Sequence, residues 1–247
     1  MSNGLSNPTH APVPVGTGSL QPEERWPGMA DCRHCRLRGQ GLFSAVRGTD
    51  FDHLSLPVRT ADFPRRTVLY REGEHADAVF ALREGMVKLI KRTPDGDERI
   101  VRLLGRGAAM GLEALTHGFY WHTAEALREV DLCRIPLAVF DELQARHAGI
   151  SDRVVGQWEE QVRCADRWLA ELSAGPVHER VRRLLRLLAE LDGDNGRHLQ
   201  LPPMADLANI LGTSRESVSR TLAELKRDRT LRHVAPRTYD CDLESLS

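Results

Sequence analysis

Four glycines, Gly73, Gly85, Gly96 and Gly107, recur every 11 or 12 residues and confine the stretch from about Phe63 to Pro136 to short reversing elements. Between and around them lie apolar runs at residues 67–70, 78–82, 87–91, 100–104 and 131–135. A chain that turns this often has little room for helices; the rhythm is that of hairpins in a sandwich or jelly roll. Thr93-Pro-Asp-Gly-Asp97 supplies one hairpin turn, its glycine free to take positive φ.

The period changes at Leu137. A short helix is predicted over 137–145 and a longer one over 150–172. The longer helix sets Ile150, Val154, Trp158, Val162, Ala165, Leu169 and Leu172 on one stripe at 3- and 4-residue steps. Such a stripe between two domains needs a cover. A coiled-coil-like homodimer seam supplies one, and the chain's own β domain is the alternative. Gly175-Pro176 stops the helix. A helix over 177–191, a turn-rich stretch at 192–196 and a terminal hairpin over 231–239 follow, with residues 197–201 as a further strand of the same wing.

Inside this last region Ala208, Gly212 and Val218 stand where a helix-turn-helix needs a small residue, a left-handed turn residue and an inward β-branched residue. Thr213 and Glu216 have capping-box spacing, which predicts a second helix starting just after the glycine. Val218, Leu222 and Leu225 form its inward stripe. Thr213, Ser214, Arg215, Glu216, Ser219 and Arg220 occupy its N-terminal, outward part, which in such motifs enters the major groove. Arginine can pair bidentately with guanine, glutamate can accept from cytosine N4, and serine can do either. Residues 213–233 hold six Lys/Arg against three Asp/Glu in a chain of net charge −1, so double-stranded DNA is the expected partner of this segment.

At 247 residues there is room for two domains. No apolar run reaches about 18 residues, so no membrane span is expected. Residues 1–31 are rich in Pro, Gly, Ser and Asn and are expected to be a disordered tail rather than a secretory signal. Five scattered cysteines do not form a disulfide framework, which points to a reducing cytoplasm. The remaining boundaries fall at 32–145 for a cysteine-containing segment with the β domain, 146–175 for the long helix and 176–247 for a winged helix-turn-helix. No phosphate loop, nucleophile elbow or His-Glu-x-x-His occurs, so the chain is not expected to be an enzyme.

The order of parts resembles the catabolite-activator and fumarate-nitrate-regulator family of bacterial transcription factors, from about Cys32 to Tyr239. Tyr70-Arg-Glu-Gly73, Leu82-Arg-Glu-Gly85, Pro94-Asp-Gly-Asp-Glu98, Glu179-Arg180 and the recognition segment carry the likeness. It implies an α+β fold: an N-terminal double-stranded β-helix (jelly roll) sensor, a dimerisation helix, a winged helix-turn-helix and contact with RNA polymerase. Glu216-Ser-Val-Ser219-Arg220 fits the Glu-x-x-Ser-Arg of the fumarate-nitrate branch, and Arg215 also satisfies the catabolite branch. The implied target is a palindrome of TTGAT-like half-sites.

The same resemblance bears on the signal. Members that bind cyclic AMP carry Gly-Glu-Leu and then Arg-Ser or Arg-Thr; here Ala108 and His122 stand for the glutamate and the arginine, so cyclic AMP is not expected. Cys32-Arg-His-Cys35 and Cys133 match three cysteines that hold a [4Fe–4S] cluster in the oxygen sensors, whereas the further cysteine is replaced by Gly41. His34, Asp31 or a carboxylate elsewhere could supply a fourth ligand. A thiol–disulfide or metal-binding C-x-x-C, and a haem, nitric-oxide or other small-molecule signal, remain open, as does a regulatory subunit that binds nucleotide but not DNA. Cys164 and Cys241 are read as structural or incidental.

Overall fold

The computed structural model describes residues 25–246, apart from Arg36, Arg38, Gln40, Ala45, Ser55 and residues 193–197. Most of the predicted tail, the arginines flanking Cys35 and most of the predicted 192–196 turn therefore lie outside the described residues.

The strands of the sensor are β1 (Gly28–Met29), β2 (Arg59–Phe63), β3 (Val68–Tyr70), β4 (Ala78–Glu84), β5 (Val87–Arg92), β6 (Glu98–Leu104), β7 (Ala109–Met110), β8 (Thr123–Ala126) and β9 (Val130–Pro136). They form two antiparallel sheets, ordered β1-β2-β9-β4-β7 and β3-β8-β5-β6, whose facing side chains make the core of a β-roll. All five predicted runs are strands, and the four spaced glycines all have positive φ, between 82° and 91°. β2 and β8 escape the apolar pattern: Arg59-Thr-Ala-Asp-Phe63 is extended because it pairs with β9, not because its own residues demand it.

One expectation fails here. The disordered tail does not extend to residue 31: Trp26 is buried, 5.5 Å from Phe80 and 4.9 Å edge-on to Phe63, and β1 pairs with β2. A single indole buries enough apolar surface to order a segment whose average composition reads as tail.

The helices are α1 (Leu137–Arg146), α2 (Gly149–Leu172), α3 (Val177–Asp192), α4 (Met204–Leu211) and α5 (Arg215–Arg227). Strands β10 (His198–Gln200), β11 (Leu231–Ala235) and β12 (Thr238–Cys241) form the wing, ordered β10-β12-β11. The predicted long helix is present, but its stripe divides. Ile150 and Leu172 are each 1% exposed inside their own chain and so are not available to a seam, while Val154 and Trp158 are half-buried against the roll. The apolar side chains left facing outward are Val155, Val162 and Leu169, at seven-residue intervals, with Ala165 half-buried beside them. Seven residues fall about 20° short of two full α-helical turns, so a row at this interval drifts only slowly around the helix.

A second core joins roll to reader. Met86, Ile90, Ile100, Leu103 and Leu127 of the sensor are buried with side chains of α2, α3, α4 and α5. Each buried aliphatic side chain contributes about 1.5–3 kcal/mol, against the roughly 1–3 kcal/mol typical of a whole allosteric coupling. The reader is therefore held against its own sensor.

Candidate nucleic-acid interface and sensor residues

α4 ends at Leu211 with Gly212 left-handed, φ 57° and ψ 46°. The Thr213 amide then donates back to the Ala208 carbonyl at 3.0 Å, closing α4. That use of Thr213 moves the next N-cap one residue on. Ser214, extended at φ −76° and ψ 151°, caps α5 by accepting from the Ser217 amide at 3.2 Å. The predicted Thr213–Glu216 box is thus replaced by a Ser214 cap. Val218, Leu222 and Leu225 are buried as predicted, joined by Thr221, whose hydroxyl donates to the Ser217 carbonyl.

Arg215, Glu216, Ser219 and Arg220 are exposed together on the opposite face, and Ser214 stands exposed at its start, while Thr213 is half-buried in the turn. Steps of four residues (215 to 219, 216 to 220) put the four on one side of the helix. Beside them the wing exposes Arg232, His233 and Arg237. Lys226 lies over the Tyr239 ring at 4.8 Å and ties α5 to the wing. Arg180 Nη1 donates to the Leu211 carbonyl at 2.6 Å and to Leu172 at 3.5 Å, joining the ends of α4 and α2.

In the sensor, Cys133 lies on β9, opposite Thr60 of β2, and β1 runs along the other side of β2. The segment after β1 brings Cys32 and Cys35 near it. Burial pushes the Cys133 thiol up to about 12, opposed by Arg83, and the charges of Cys32 and Cys35 add to the rise. Cys32 packs against the core that contains Cys133, but the three thiols fall short of a metal site. Among the described residues no three of His, Cys, Asp and Glu form a group that could hold one ion. Asp31 and His34 are exposed and bonded to each other at 2.9 Å. As arranged, the set does not fit a four-ligand cluster. Cys164 is exposed on α2, 3.5 Å from Glu160 Oε1, and Cys241 is half-buried in the wing, its thiol raised to about 11 by burial.

Of the polar groups packed in and around the roll, sequence reading finds His122 and misses Glu113, Arg102 and Gln161. Glu113 is 5% exposed and accepts from the Trp121 amide at 2.9 Å. Arg102 donates to Gln161 of α2 at 2.8 Å, and Gln161 donates in turn to the Ala109 carbonyl at 3.1 Å. Burial and the Arg102 and Lys91 charges hold His122 down to about 4, with Glu72 opposing. Isolated polar residues among strands give no periodic signal, so only their burial reveals them. No helix of the described residues is long and apolar enough to cross a membrane.

Two family models match the chain: a cyclic nucleotide-binding domain over residues 60–147 and a Crp-like helix-turn-helix domain over 180–247. The transcriptional regulator LdrP of Thermus thermophilus is 30% identical over 187 residues, 74% of this chain and 93% of that one. The transcriptional activator protein FnrA of Stutzerimonas stutzeri is 26% identical over 204 residues, 81% of this chain and 84% of its own. A crystal structure of a CRP-family transcriptional regulator from Thermus thermophilus is 29% identical with a TM-score of 0.64, over 75% of this chain and 94% of that one. These relatives are regulators, not enzymes.

Proposed function

The chain belongs to the CRP/FNR family of DNA-binding transcription regulators, and from that premise we propose that it acts as a homodimer reading a palindrome of TTGAT-like half-sites. The observation that carries the reading is the outward set Arg215, Glu216, Ser219 and Arg220, exposed on one face of α5. Each protomer places one such helix in a major groove, and two-fold symmetry sets the half-sites about one helical turn apart. The protomers meet along Val155, Val162 and Leu169, the apolar row of α2 that its own chain leaves exposed. Bound to its site, the dimer contacts RNA polymerase.

Fluorescence anisotropy with a palindromic duplex and excess random competitor tests the reading. The expected result is a complex that survives competitor, with Arg220→Ala losing about 1–3 kcal/mol of discrimination at its base. Equal loss on specific and random DNA would refute the role of Arg220.

The signal we assign is a redox change at Cys32, Cys35 and Cys133, supported by the packing of Cys32 against the core that contains Cys133. An iron–sulfur cluster would use all three as thiolates and must recruit a fourth ligand. A Cys32–Cys35 disulfide needs none: two thiols lose two electrons and two protons to an oxidant as the S–S bond forms. Anaerobic purification separates them. Brown protein with stoichiometric iron and sulfide supports the cluster, and colourless protein whose operator affinity changes between air and reductant supports the disulfide. Colourless protein of equal affinity in both removes the cysteines from signalling.

A further inference from the structure

We infer that the outer edge of the roll is a positioning surface for the DNA reader: β6 and Lys88 hold Asn209 and Asp206 of α4, and this grip sets the half-site spacing the dimer accepts. The inference rests on the palindromic reading above.

β6 is the last strand of its sheet, paired only with β5. Its outward backbone groups would otherwise be an open edge. Asn209 takes both polarities there: its Oδ1 accepts from the Ile100 amide at 2.7 Å, and its Nδ2 donates to the Glu98 carbonyl at 2.8 Å. A carboxamide can do this because it carries a donor and an acceptor side by side. Lys88, 8% exposed, lies between Glu125 of its own sheet at 3.0 Å and Asp206 of α4 at 2.9 Å.

Two further contacts meet at the end of α3. Arg128 donates to Asp192 Oδ2 at 3.0 Å and to the Gln200 carbonyl at 2.6 Å, gripping the end of α3 and β10 together. At Gly105 the approach to α3 is so close that a Cβ would lie 2.6 Å from the Leu191 carbonyl oxygen. Contacts at α4 and at the end of α3, where Arg128 also takes β10, hold the reader to the roll at two places, which restrains its angle as well as its distance. The buried Ile90, Ile100 and Leu103 beneath them leave the reader no cheap way to swing alone. The distance between two recognition helices is then set by how two sensor-plus-reader units meet at α2.

Asn209→Ala and Lys88→Met loosen the grip from opposite sides, and Lys88 lies on the sensor, off the DNA-reading face. The test measures affinity of the full-length protein for palindromes whose centre is lengthened or shortened by one base pair. Wild type is expected to favour one spacing at least tenfold, and both variants to narrow that ratio to within about threefold while keeping wild-type affinity for an isolated half-site. Circular dichroism melts verify that each variant is folded; should Lys88→Met not fold, Asn209→Ala alone decides. Folded variants that keep the wild-type spacing ratio, or lose affinity evenly at every spacing, would overturn the inference. Wild type that binds no palindrome would instead overturn the reading on which it rests.

Discussion

Single residues do the joining in this molecule. Arg180 is legible in sequence only as part of a motif, Glu179-Arg180; the structure supplies its reason, since one guanidinium satisfies carbonyls at the ends of both α2 and α4. Ser214 shows the limit of spacing arguments. Thr213 and Ser214 are chemically near-equivalent caps, and only the backbone bond that closes α4 decides between them. His122 carries the residue-scale prediction. With its folded pKa near 4, below the unfolded value of about 6.5, the unfolded chain takes up the proton first as pH falls. Native stability should therefore decline between pH ~6.5 and ~4, by at most ~3 kcal/mol. Denaturant melts across that range should show the slope in wild type and a flatter one in His122→Gln; identical slopes would mean that other groups carry it.

At the scale of elements, apolar periodicity finds α1, α2 and α3, the helix-turn-helix positions find α4 and α5, and the periodic reading then overreaches on α2. Seven positions on one stripe are one feature in sequence, yet the helix lies in a groove of its own chain, which takes Ile150, Val154, Trp158 and Leu172. Periodicity reports that a face is apolar, not which neighbour covers it. Val155 escapes the sequence reading because the stripe drawn through Val154 and Trp158 leaves it one position to the side. The exposed row predicts that Val162→Asp leaves the monomer folded and dissociates the dimer, read by sedimentation and circular dichroism. A Val162→Asp protein that still sediments as a dimer would place the seam elsewhere. Amide side chains recur as edge covers: Gln157 and Gln161 of α2 bond the backbone of Ala109 in β7 much as Asn209 bonds β6. None of these pairings has a sequence signature, because each joins residues about 50 or more apart.

For the whole molecule, the order of roll, long helix and winged reader is readable from turn spacing, period and the Ala208–Gly212–Val218 frame. What is not readable is that roll and reader share a core, since residues such as Ile100 and Leu103 look like ordinary strand positions until their neighbours are known. That shared core joins roll and reader into one unit; in the proposed dimer, symmetry between two such units makes an exposed helix face a site-specific reader. Selection of bound sequences from random double-stranded DNA by the full-length protein tests this most directly. The account predicts a two-fold consensus of TTGAT-like half-sites at one fixed spacing, lost in Arg220→Ala at its own base. A consensus with a single half-site, or none above background, would contradict it.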